Sequence, residues 1–149
     1  MDEALVLDAS VVVKWFKEGE RLEREALALR DGILDGRVSA LTSEWLFLEV
    51  VRAMVKVGFP AEKIDGAYSA LREIASLGFV EAVPVREVLD GAKEIMVTLH
   101  LFASDSVYLA TAVKRNAALV TEDRHLLRRE VREYAEKEDI RVMSLGETK

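Results

Sequence analysis

Four carboxylates stand where a shared chemistry could use them. Asp8 closes the apolar run of "ALVLDAS" (Ala4 to Ser10), and Asp123 follows the apolar run of "AALVTEDRHLL" (Ala117 to Leu127). Asp105 sits in "FASDSVYLATA" (Phe102 to Ala112), at the start of a helical stretch rich in small residues. Glu49 interrupts the very apolar "WLFLEVVRAMVKV" (Trp45 to Val57). Ser10 and Thr121 lie two residues from Asp8 and Asp123, where a hydroxyl can orient a carboxylate or a water. Carboxylates drawn together repel, so a shared site must be relieved by protonation or by cations. The chain has no cysteine and only two histidines, His100 and His125. A metal would therefore be held by oxygen, which favours hard cations such as Mg²⁺ or Mn²⁺. Two such ions about 4 Å apart can activate water and stabilise both oxygens of an in-line phosphoryl displacement.

Each acid also has a plainer reading. Asp8 and Asp105 suit the first turn of a helix as cap or dipole partner. The "TED" before the next helix is ordinary turn chemistry for Asp123. Glu49, Arg52 and Lys56 share a narrow polar stripe that could simply face solvent. His125 reads as a helix-surface residue, with a proton relay as its alternative. Trp15 and Trp45 read as core or interface.

The elements that must position these acids alternate. Residues 4–8 read as a buried strand, and 10–16 and 20–34 as helix, with Gly32 and Gly36 breaking near the end. Arg37 to Leu41 is the next strand, and Thr42 or Ser43 can cap a helix over 43–57 that stops at Gly58. Pro60 suits the first turn of another helix, which ends at Gly78. Strand 79–85 is pushed towards an edge by Pro84. Helices at 86–99 and 105–115, strand 117–120, a helix to about 138 and strand 140–145 complete the chain. Such alternation predicts a parallel sheet covered on both faces, with ligands beyond the carboxyl ends of the strands, where the strand order reverses. Asp8 and Asp123 then lie at that edge, and they converge if their strands are neighbours.

The bulk composition is compatible with this. A chain of 149 residues, 50% hydrophobic and 32% charged, suits one globular domain over 1–149, with no linker or repeat. The N-terminus lacks the basic region of a signal peptide, and no apolar run approaches a bilayer span. The absence of cysteine fits a cytoplasmic setting. One asparagine, no glutamine and abundant Glu, Arg and Lys point to a thermophile. The net charge of −6 opposes simple electrostatic affinity for nucleic acid. Two bound divalent ions would cancel most of it. Lys14, Arg52, Lys56 and Arg124 fall near the expected mouth, and Lys14 and Arg124 are the candidates for phosphate contact. Arg128, Arg129 and Arg132 alternate with Glu130, Glu133 and Glu136 as a solvated ion-pair surface.

Taken in order, "VLDASVVVKW", the helix bearing Glu49, "ASDSVYLATA" and "LVTEDRHL" resemble the PIN domain, and most closely its small VapC-type toxin nucleases. The resemblance covers nearly the whole chain. It implies a three-layer α/β/α fold with a five-stranded parallel sheet in the order 3-2-1-4-5, which makes the strands ending at Asp8 and Asp123 neighbours. It maps the family's acids onto Asp8, Glu49, Asp105 and Asp123, with Glu44 competing for the place of Glu49, and its hydroxyls onto Ser10 and Thr121. It also implies Mg²⁺- or Mn²⁺-dependent RNA cleavage with one or two ions, a homodimer or higher homo-oligomer, and an antitoxin partner. The alternatives are an RNA-processing nuclease with no toxin role, or a PIN-fold interaction module with weak nuclease activity. A receiver domain is disfavoured by the single acid after strand 1 and the lack of a lysine in "RVMSL". An aspartate-nucleophile phosphatase is disfavoured by Ser10 where a second aspartate is needed.

Overall fold

The computed structural model describes residues 3–148. Five short strands, β1 (Leu5–Leu7), β2 (Ala40–Ser43), β3 (Val80–Val83), β4 (Ala118–Val120) and β5 (Val142–Met143), form one all-parallel sheet in the order β3-β2-β1-β4-β5. The helices are α1 (Ala9–Val12), α2 (Glu23–Leu34), α3 (Leu46–Lys56), α4 (Ala61–Ser76), α5 (Leu89–Leu99), α6 (Ala103–Arg115) and α7 (Arg129–Lys137). Among the described residues no single helix is long and apolar enough to cross a membrane.

β1 is the central strand, paired through Leu5 with both Ala40 and Ala118. A strand hydrogen-bonded on two sides and covered on two faces must be apolar throughout, and Val6, Leu7, Leu119 and Val120 are all buried. The chain moves outward from β1 to β2 and β3, then returns past β1 to β4 and β5. With right-handed crossovers, that reversal puts α1 to α4 on one face and α5 to α7 on the other. It also opens a crevice beyond the carboxyl ends of β1 and β4. Pro84 follows β3 immediately, at the sheet edge where a missing donor costs nothing.

Several boundaries differ from the sequence expectation, each for a local reason. The second strand is not Arg37 to Leu41 but Ala40–Ser43. The amides of Arg37 and Val38 are spent on the Gly32 carbonyl, 2.9 and 3.0 Å away, closing the end of α2, so pairing begins later. Thr42 and Ser43 are consequently strand residues. Thr42 Oγ1 donates to the Leu7 carbonyl at 2.7 Å, while Ser43 Oγ still accepts from the Trp45 amide ahead of α3. Gly32 does not break α2; a Cβ there would meet Val38 Cγ2 at 2.8 Å, so its small size permits the close return of the chain. The helix expected at 10–16 is one turn of α-helix followed by a 3-10 turn over Val13–Trp15. The helix before residue 138 begins only at Arg129, because the amides of Leu126 and Leu127 turn back onto the Asp123 carbonyl.

Candidate active site

The crevice beyond β1 and β4 is a cleft of about 470 Å³ whose lining includes Asp8, Ser10, Glu49, Asp105 and Asp123, with Arg52, Phe102, Tyr108 and His125 around them. Asp8 follows β1, Glu49 comes from α3, Asp105 from the first turn of α6, and Asp123 follows β4. The four sequence candidates thus reach one place from four separate elements. Glu44 does not join them. Its Oε1 accepts from the Val85 amide at 2.9 Å, across the β2–β3 end of the sheet.

The plainer roles of Asp8 and Asp123 hold at the same time. Asp8 caps α1, its Oδ1 accepting from the Ser10 amide at 3.0 Å and from Ser10 Oγ at 2.6 Å. Its Oδ2 accepts from Thr121 Oγ1 at 2.5 Å. Asp123 closes its turn, with Oδ1 accepting from the His125 amide at 2.7 Å. Thr121 Oγ1 accepts from the Asp123 amide at 3.0 Å, and Ser10 Oγ accepts from the Glu122 amide at 2.8 Å. Both hydroxyls therefore receive one backbone donor and pass their single proton to Asp8. This network fastens the end of β4 to the end of β1 and fixes the Asp8 carboxylate.

Burial sets the electrostatics. Asp8 is 3% exposed, and desolvation raises its pKa to about 7 despite the hydroxyls of Ser10 and Thr121, with the charges of Asp123 and Glu49 adding to the rise. Asp105 is also raised to about 7, first by burial and then by the charges of Asp123, Asp8 and Glu49, with Arg128 opposing. Asp105 thus feels the charges of all three other acids and Asp8 those of two, which is the physical meaning of their convergence. A divalent cation would supply the charge this cluster lacks. Among the described residues, no three His, Asp or Glu side chains are gathered tightly enough to form a ready cage. The donor set is all oxygen and open, which fits an ion that keeps part of its hydration shell, as Mg²⁺ does.

The basic residues fall differently from expectation. Lys14 is buried, its Nζ donating to the Arg21 carbonyl at 2.7 Å, away from the lining of the cleft. A long aliphatic stem that can pack while its head caps a carbonyl explains why sequence position misled. Arg124 is exposed on the turn after Asp123 and does not line the cleft; Arg52 does. Arg128 is half-buried, donating to the His125 carbonyl at 3.1 Å and the Leu99 carbonyl at 3.2 Å. It keeps an ion pair with Glu130 at 4.0 Å, as the surface-stripe reading expected, while those two carbonyls, presented by α5 and the 123–128 turn, draw its head partly inward. His125 likewise leaves the helix surface to line the cleft, its ring edge-on to Phe102 at 5.6 Å. Phe102 and Tyr108 line the cleft without a signal in the sequence, since an aromatic in an apolar helical stretch carries none of its own. Trp15 packs on the core and donates to the Ala26 carbonyl, whereas Trp45 is 41% exposed. Trp45 borders a larger groove, about 730 Å³, lined by α3 and α4 residues including Leu48, Tyr68 and Arg72. That groove is bigger than the acidic cleft but has Glu44 as its one acid, whereas four carboxylates line the smaller one.

A model of the PIN domain matches residues 5–132. No curated protein matches the chain by sequence. Among solved structures, FitAcB from Neisseria gonorrhoeae is similar at 16% identity, covering 97% of this chain and 99% of that one, with a TM-score of 0.60. VapBC2 from Rickettsia felis bound to a DNA fragment from their promoter is similar at 16% identity, covering 95% and 98%, with a TM-score of 0.61. PAE2754 from Pyrobaculum aerophilum is similar at 20% identity, covering 84% and 83%, with a TM-score of 0.57.

Proposed function

The chain belongs to the PIN domain family, and from that premise we propose that it is a Mg²⁺- or Mn²⁺-dependent endoribonuclease, the toxin of a toxin–antitoxin pair. One observation carries the proposal: Asp8, Glu49, Asp105 and Asp123 meet over the point where the strand order reverses, and burial leaves two of them short of positive charge. Asp8, Asp105 and Asp123 would hold one or two ions, with Glu49 binding metal or orienting water. The bound ion would supply Lewis acidity and would ease loss of a proton from water, making it a nucleophile towards phosphorus.

The protein's own part is positioning. Ser10 and Thr121 hold the Asp8 oxygens, and Thr121 also holds the Asp123 backbone, so that the two carboxylates keep their separation as charge changes. Arg52 lines the cleft as the cation available to a phosphate; Arg124 is exposed on the turn beside Asp123. No side chain needs to form a covalent intermediate. The toxin assignment is supported by the fold shared with FitAcB and VapBC2, and the exposed apolar groove beside Trp45 and Leu48 offers a surface for an antitoxin segment. A homodimer, a cytoplasmic setting and a thermophilic source belong to the same reading.

The test is cleavage of an RNA panel by the wild type and by Asp8→Asn, with Mg²⁺, with Mn²⁺ and with chelator. Cleavage that needs the metal and disappears in the variant is expected. Equal activity in both proteins refutes the mechanism.

A further inference from the structure

Among the described residues two buried side-chain oxygens have no hydrogen-bond partner, Ser106 Oγ and Tyr108 Oη. Only Tyr108 lines the acidic cleft. It lies one helical turn beyond Asp105 on α6, so both side chains project from the same side of that helix. The residue is 1% exposed, and a buried hydroxyl left unpaired is destabilising. Glu49 lines the same cleft from α3, and after burial its charge is the one that most perturbs the phenol. A phenol keeps its proton at neutral pH, so towards a carboxylate it can only donate.

Glu49 needs such a donor. Asp8 and Asp123 have hydrogen bonds to their carboxylates and Asp105 is short and buried in the first turn of α6, whereas Glu49 sits half-buried on α3 with a long, rotatable side chain. We propose that Tyr108 is a positioning residue whose hydroxyl donates to the Glu49 carboxylate and holds it over the acidic cleft when a divalent ion is bound. The proposal rests on the metal-nuclease reading, and it assigns Glu49 the support that Ser10 and Thr121 give Asp8.

The test is Mn²⁺ binding, followed by electron paramagnetic resonance, to the wild type, Tyr108→Phe, Glu49→Gln and the double variant, with melting curves on the metal-free proteins. Tyr108→Phe removes one unpaired oxygen, so the metal-free variant should melt no lower than the wild type. Its Mn²⁺ affinity should fall about tenfold, the lower range for a residue supporting a ligand. In the Glu49→Gln background the same substitution should change affinity by less than about twofold, because the partner is gone. Wild-type binding that Tyr108→Phe leaves unaltered, or an equal loss in both backgrounds, overturns the inference and leaves the nuclease reading standing. A wild type that takes up no Mn²⁺ overturns both.

Discussion

Replacing Asp105 by Asn should make the metal-free protein more stable while destroying its activity. Asp105 is 7% exposed, and among the described residues its carboxylate accepts no hydrogen bond, so Asn keeps the shape and loses only the charge. The carboxyl's pKa in the fold is raised from 3.8 to about 7. A group whose folded pKa lies above its unfolded one contributes stability that is whole below the unfolded value and is lost as pH rises through the folded value. The wild type should therefore lose ground to the variant between about pH 4 and pH 7, and the gap should then stay level. A rise of about three units corresponds to about 4 kcal/mol as a ceiling, at 1.36 kcal/mol per unit. Because part of that rise comes from neighbouring charges that solvent screens, about 1–3 kcal/mol is the expected gain. For a chain of this size that is a rise of roughly 2–10 °C in Tm. Melting curves in EDTA at about pH 4.5 and about pH 8 measure it. Saturating Mg²⁺ should then reverse the order, since only the wild type gains from ligand binding. A variant no more stable than the wild type at the higher pH, or one stabilised equally at both, refutes the reasoning.

Thr121→Val keeps the shape but removes the donor to Asp8 and the acceptor of the Asp123 amide; a loss of about 1–3 kcal/mol is expected in urea denaturation, with a fall in kcat. Lys14→Met should lower Tm without raising KM for RNA, because Nζ serves the Arg21 carbonyl; Arg52→Ala should do the reverse. Glu49→Gln should reduce cleavage at least tenfold, while Glu44→Gln, which perturbs only the bond to the Val85 amide, should leave kcat within about twofold. A substantial fall in kcat for Glu44→Gln would reassign the fourth acid.

Much of the architecture could be read without coordinates because the signals are local. Apolar runs too short for helices, ended by Asp or Gly, mark buried parallel strands, and Pro84 marks an edge. Boundaries were less legible. The delayed start of β2 depends on the Gly32 carbonyl claiming two amides, and neither Arg37 nor Val38 carries a trace of that in its residue type. The acids could be nominated only in combination, because each alone also reads as a cap, a turn residue or part of a polar stripe. The cations could not, because a lysine or arginine side chain reaches about as far as one helical turn and its destination depends on what packs beside it. Lys14 and Arg128, assigned to the mouth and to the surface by position, both end on backbone carbonyls.

Residue types alone determined the alternating fold class, the oxygen-only character of any metal site, and the identity of the acids worth watching. Those properties depend on composition and short-range spacing. Tertiary structure decided that Glu49 faces the cleft and Glu44 does not, that Arg52 rather than Lys14 lines it, and that Tyr108 brings a buried, unpaired hydroxyl beside the carboxylates. The reason is distance along the chain: Asp8, Glu49, Asp105 and Asp123 become neighbours only when the sheet order places β4 against β1 and folds α3 and α6 over the junction. Burial, and with it the rise in the pKa of Asp8 and Asp105, exists only once that has happened.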